Sequence, residues 1–203
     1  MKKILVLLII SFLFAINGIS LVAQENSGNK NPALLIIDIQ EFYFPKGSVP
    51  LVNPEEAALN ASKLLNEFRK NDFTVVHIRH NASSGGDIHP IVMPLEDEKV
   101  ISKNKANAFI DTDLLDYLKN KNITDLVICG MQTHMCVEAA TRAASDYGFN
   151  CTVVDDACAT RDLKFGEITV SAQDVHYSTL SSLNRTYATI KTTQQFFDEL
   201  KNE

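Results

Sequence analysis

Short, almost continuously apolar runs rich in Val and Ile alternate with longer segments whose apolar residues recur at helical spacing, and this alternation most constrains the fold. The runs are ALLIID (33–38), FTVVHIR (73–79), KVIS (99–102), DLVICG (125–130), CTVVDD (151–156) and TYATIK (186–191). A strand that is apolar at nearly every position must be covered on both faces, which is the situation in a parallel sheet. Between the runs lie residues 54–70, with Ala58, Leu64, Leu65 and Phe68 on one face, and 112–119, with Leu114, Leu115 and Leu118. Residues 137–147, which stop at Gly148, and the stretches 165–183 and 193–200 complete a set of expected helices. The pattern predicts a single α/β domain: a doubly wound, Rossmann-like, six-stranded parallel sheet with helices on both faces. At 203 residues, 45% of them hydrophobic and 22% charged, the chain can build one such core, and no internal repeat points to a second domain.

The first residues have a different character. Lys2 and Lys3 precede the apolar run ILVLLIISFLFAI, which gives way to NGISLVAQ with its small residues. That order reads as a secretory signal peptide over residues 1–23, followed by a polar linker over 24–32 and the domain over 33–203. The alternative is a membrane anchor, but the apolar run is short for a span and no Lys or Arg follows it as a stop-transfer signal. Cleavage after Ala23 would remove 23 of the 203 residues, including Lys2 and Lys3, and carry the formal charge from −6 to −8. The expected product is therefore an exported, periplasmic or secreted protein with no stable membrane anchor. Its acidic balance suits a small-molecule substrate better than nucleic acid or anionic lipid. A homo-oligomer is compatible with the sequence.

Ligands of open parallel sheets gather at the carboxyl ends of the strands, where strand order reverses. Three chemically capable residues fall at such ends. The first run closes with Asp38, KVIS is followed by Lys103, and the fourth run leads through GMQTHM to Cys136 at an expected helix start. Singly, each has a plain alternative as turn former, solvated cation or packing thiol. Together they place a carboxylate, an amine and a thiol at one sheet edge. A helix N-terminus and a nearby cation would both favour the thiolate that attacks a carbonyl.

The segments IIDIQ, ISKNKANAFIDTDL and GMQTHMCVEAATRAASDYGFNCTVVDDA resemble, in order and spacing, the three catalytic blocks of isochorismatase-like cysteine hydrolases. The resemblance covers roughly residues 33–160. That family includes nicotinamidases, N-carbamoylsarcosine amidases, ureidoacrylate hydrolases and streptothricin hydrolases on one doubly wound domain. The resemblance implies a triad of Asp38 as general base and acid, Lys103 as balancing cation and Cys136 as nucleophile. It implies an oxyanion hole from the backbone N–H groups of Gln132 and Cys136, and a non-proline cis peptide between Met131 and Gln132. Lys103 is preferred to Lys105 because the family lysine precedes an Ala-Phe pair by several residues, and Ala108 and Phe109 are that pair here. Phe42 and Phe109 are expected to line the substrate pocket.

No metal or other cofactor is expected. His77, His80, His89, His134 and His176 could offer ligands, but His77 and His80, three apart on a strand, face opposite sides. Asp87 and His89 have Asp-x-His spacing in a Gly-rich setting that departs from the nicotinamidase metal pattern. The polar segment 81–87 could be a lid or an ordinary surface loop. Cys129, Cys136, Cys151 and Cys158 are an even set in an exported protein, so a disulfide is open, although two of them sit in strand-like runs. Three competing functions remain: vinyl-ether hydrolysis, which needs no thiol; a non-catalytic binding domain; and a thiol redox protein, which the absence of a C-x-x-C pair disfavours.

Overall fold

In the computed structural model of this protein, residues 31–202 are described; the expected signal peptide and nearly all of the linker lie outside them. Three strands come first: β1 (Pro32–Ile37), β2 (Thr74–His80) and β3 (Lys99–Lys103), with helix α1 (Pro54–Lys70) between β1 and β2. Helix α2 (Leu114–Asn120) leads to β4 (Asp125–Met131), and a π-helical turn, Thr133–Val137, runs directly into α3 (Glu138–Asp146). The chain ends with β5 (Asn150–Ala159), the strands β6 (Leu163–Phe165) and β7 (Ile168–Val170), α4 (Ala172–Leu183), β8 (Thr189–Lys191) and α5 (Thr193–Leu200).

Six strands form one sheet in the order β3-β2-β1-β4-β5-β8, every neighbour parallel, with helices on both faces. This is the doubly wound architecture that the apolar runs predict. Its core runs through Leu34–Ile37 of β1, Val76 and Ile78 of β2 and Leu126–Cys129 of β4, all buried. Against it α1 lays Ala57, Ala58, Ala61, Leu64, Leu65 and Phe68, a stripe at helical spacing. No helix among the described residues is long and apolar enough to cross a membrane.

Two elements depart from expectation. Residues 165–183 are not one helix: β6 and β7 form a two-stranded antiparallel hairpin, and α4 begins at Ala172 after the Ser171 side chain caps it. β5 is longer than CTVVDD, because it resumes past the polar pair Asp155 and Asp156 to pair Cys158 with Gly130 and Ala159 with Met131 across a register shift.

The strand order reverses between β1 and β4, and the two come unusually close there. A Cβ on Gly130, which has φ of 127°, would stand 1.9 Å from the Ile37 carbonyl oxygen. Only glycine fits that position, and its fit brings the end of β4 against the end of β1.

Candidate active site

Each member of the site is set by the backbone that carries it. Asp38 follows β1 in the left-handed region, φ 50°, a conformation that Asp tolerates better than most residues. Its N–H donates to the Ile78 carbonyl at 2.9 Å, which holds the turn against β2. Lys103 is the last residue of β3 and the register partner of His80 on β2. Cys136 sits within the π-helical turn after β4, four residues past the cis peptide between Met131 and Gln132, which lies where the resemblance puts it. That turn is pinned from two sides: His134 Nδ1 lies 2.6 Å from Thr160 Oγ1, and Thr133 Oγ1 lies 2.9 Å from His176 Nδ1.

The three expected residues meet. Lys103 Nζ donates to Asp38 Oδ2 at 2.7 Å and to Cys136 Sγ at 3.2 Å, with the Lys103 and Asp38 side chains fully buried. Lys105, two residues on, is exposed, so the structure brings Lys103 and not Lys105 to the carboxylate. A fourth group joins them: His80 Nδ1 lies 3.3 Å from Lys103 Nζ.

The electrostatics differ from the expectation of a ready thiolate. Burial, reinforced by the Asp38 carboxylate and opposed by Lys103, pushes the Cys136 thiol up to about 12. Burial also raises Asp38 above the usual carboxylate range, against the pull of Lys103. The helix start and the cation therefore do not outweigh desolvation, and the resting thiol keeps its proton. Among the described residues no nitrogen or oxygen donor meets the buried Asp38 Oδ1, which leaves it an acceptor for the Cys136 thiol proton beside the ion pair.

The Gln132 side chain is buried and held at both ends, with Nε2 donating to the Tyr43 hydroxyl at 3.3 Å and Oε1 accepting from Arg161 Nε at 3.1 Å. Tyr43 stands in the aromatic run 42–44 that could line the pocket or the core, whereas Arg161 carries no sequence signal that distinguishes it from a surface cation. Phe42 packs edge-on against Tyr43, with ring centroids 4.2 Å apart, and lines a cavity of about 370 Å³ with Lys46, Ser48 and Ser84. Phe109 instead packs on Tyr147 and Phe149, at 5.4 and 6.4 Å. Those partners lie past the far end of α3, on the order of 15 Å along the helix from Cys136, so Phe109 belongs to the core.

The segment 81–87 is no free lid. Gly85 and Asp87 accept backbone bonds from Phe42 and Glu41 at 3.0 Å, and Gln40 Nε2 donates to the Gly86 carbonyl at 2.6 Å. The other histidines have separate partners. His77 pairs with Glu98, and His89 stacks on Phe44 with centroids 3.9 Å apart. All four cysteines are free thiols. A separate cavity of about 490 Å³ opens at the end of β5, lined by Glu56, Asp155, Asp156, Thr160 and His176 among others, and none of Asp38, Lys103 or Cys136 borders it.

The isochorismatase domain model matches residues 32–195. The chain belongs to the isochorismatase family. An uncharacterized isochorismatase family protein of Bacillus subtilis is 45% identical over 175 residues, 81% of this chain and 97% of that one. A solved structure from Oleispira antarctica, described as an isochorismatase hydrolase, has a TM-score of 0.80 at 42% identity and covers 83% of this chain and 96% of its own. A streptothricin hydrolase of Streptomyces noursei is 30% identical over 140 residues, 64% of this chain and 55% of its own. As an isochorismatase-family hydrolase, the protein keeps buried Asp38 and Cys136 and half-buried His80 within one cluster at the reversal point of the sheet.

Proposed function

We propose that this hydrolase cleaves a C–N bond of a small amide, ureide or carbamoyl substrate through a thioester on Cys136. The observation that carries the proposal is the buried ammonium of Lys103, bonded at once to Asp38 and Cys136. With Asp38 ionised and the thiol protonated, the trio is neutral overall. Moving the thiol proton to Asp38 leaves a protonated acid, an ammonium and a thiolate, which is neutral again. A transfer that keeps the buried charge constant avoids the desolvation cost that makes a free thiolate expensive here.

In the proposed cycle the substrate carbonyl accepts the sulfur electron pair as the proton passes to Asp38. The oxyanion is held by the backbone N–H groups of Gln132 and Cys136. As the C–N bond breaks, Asp38 gives its proton to the departing amine. Asp38 then takes a proton from water, whose oxygen attacks the thioester, and collapse returns a proton to the thiol and releases the acid. The similarity to a streptothricin hydrolase supports the hydrolytic reading. The run of residues 1–23 extends the proposal to export, with the N-terminus of the exported protein expected after Ala23 by Edman sequencing.

The test is a panel of small amides, ureides and carbamoyl compounds assayed with wild type and Cys136→Ala. The variant should lose turnover while its Tm stays within a few degrees, since removing one buried sulfur costs about 1 kcal/mol. Turnover that survives the substitution would assign the chain to thiol-independent chemistry, such as vinyl-ether hydrolysis. Binding of panel compounds with no turnover, and with a Kd that Cys136→Ala leaves unchanged, would support a binding domain instead.

A further inference from the structure

A lysine ammonium has three N–H donors and no acceptor. Here Lys103 has three acceptors: Asp38 Oδ2 at 2.7 Å, Cys136 Sγ at 3.2 Å and His80 Nδ1 at 3.3 Å. The third contact is built into the sheet. His80 and Lys103 are register partners on adjacent parallel strands, about 4.8 Å apart, so their side chains leave the same face side by side. The backbone of His80 is clamped on both sides by the buried side chain of Gln40, whose Oε1 accepts from the His80 N–H at 2.7 Å and whose Nε2 donates to its carbonyl at 2.9 Å.

Because the ammonium can only donate, the Nδ1 it meets must offer a lone pair, and the proton of the neutral ring then sits on Nε2. We propose that His80, as the neutral Nε2–H tautomer, is a positioning residue that fixes the Lys103 ammonium between Asp38 and Cys136. Without it one buried N–H would be unpaired, and the ammonium would gain by turning toward solvent and away from the thiol. The groups that face the ring are Lys103 from β3, Asp38 from the turn after β1 and Cys136 from the helical turn. Burial and then Lys103 push His80 below the usual histidine range, and Asp38 opposes them. A proton on Nδ1 would set two cations against each other. The same contacts explain why Asp38, His80 and Cys136, with ligand atoms all within 4.8 Å of one another, surround a cation already: the ammonium takes the central place.

The catalytic consequence rests on the proposed thiol mechanism, whereas the tautomer does not. Two substitutions separate the roles: His80→Leu removes the acceptor, and His80→Asn keeps an oxygen near the place of Nδ1. In ¹⁵N-histidine-labelled wild type at pH 7.5, long-range ¹H–¹⁵N spectra should assign to His80 a bare Nδ1 and a protonated Nε2, by the signal that His80→Asn removes. His80→Leu should slow alkylation of Cys136 by iodoacetamide and lower kcat on a turned-over amide by about 10- to 100-fold with little change in KM. His80→Asn should recover most of both. An imidazolium or an Nδ1–H tautomer at pH 7.5 would overturn the proposal. So would wild-type alkylation in His80→Leu, or a His80→Asn variant no faster than His80→Leu. If no amide is turned over by the wild type, the spectra and the alkylation rates still decide the role of His80.

Discussion

The two faces of β2 carry two clusters with the same ingredients and opposite wiring. On one face His77, Glu98 and Arg69 form a histidine, a carboxylate and a cation; on the other stand His80, Asp38 and Lys103. Glu98 is saturated. Arg69 grips both its oxygens at 2.7 and 2.8 Å, and Oε2 also accepts the Leu95 N–H and pairs with His77 Nε2, each at 2.9 Å. Burial pushes Glu98 upward, but these donors outweigh it and carry the group down to about 2. Asp38 has one ammonium, the weak thiol donor of Cys136 and, among the described residues, no further donor on its buried second oxygen, and burial wins, so the group is raised. A carboxylate with both oxygens held by donors fastens chain to chain, whereas one with a single bonded oxygen and a raised proton affinity can trade protons.

Paired substitutions at the two clusters should have unequal effects. Asp38→Asn should cost about 10²–10⁴-fold in kcat/KM, the range for loss of a general acid–base, with the fold retained. Glu98→Gln should leave kcat/KM per folded molecule near wild type in the same assay. Equal losses at both carboxylates would mean that donor saturation does not separate their roles. Next in size, Lys103→Met should lower kcat/KM by about 10²–10³-fold and slow alkylation of Cys136 at pH 7, with partial recovery at higher pH. Lys105→Met, at an exposed position, should change either rate little. The reverse outcome would require a different lysine in the site.

Much of this was legible in the chain. The β1 and β4 runs are apolar on both faces, so their strand character could not be missed, and Asp38, Lys103 and Cys136 lie at or just past the ends of β1, β3 and β4. What could not be read has physical causes. Residues 163–170 form a hairpin whose Phe165 and Ile168 are 82% and 62% exposed, so its apolar residues imitated the buried stripe of a helix. Phe109 is as apolar as a pocket residue must be, and only the path of α3 puts it on Phe149. The thiol was expected to ionise because sequence records the cation and the helix start but not the depth of burial that outweighs them. His80 could be placed on the face opposite His77, yet its contact with Lys103 depends on the register of β2 with β3, which no single strand specifies.

The smallest expected effect is on stability, and it falls on the saturated cluster. Glu98→Gln should lower stability by about 1–3 kcal/mol, the range for hydrogen bonds to a charged group, read as a drop of several degrees in Tm at pH 7. The pH dependence follows from the direction of the shift. The folded state holds Glu98 at about 2 and the unfolded chain has it near 4.5. Between those values the unfolded chain binds the proton more tightly, so stability from this group is fully present above about 4.5 and drains away as the pH falls toward 2. Asp38, raised in the folded state, contributes with the opposite sign and cannot produce that loss. Urea unfolding of wild type and Glu98→Gln between pH 2 and 6 should therefore give curves that lie apart above pH 5 and converge on acidification. Curves that stay parallel through that window would place the Glu98 cluster outside the acid sensitivity of the fold, and with it the claim that saturation makes this carboxylate structural.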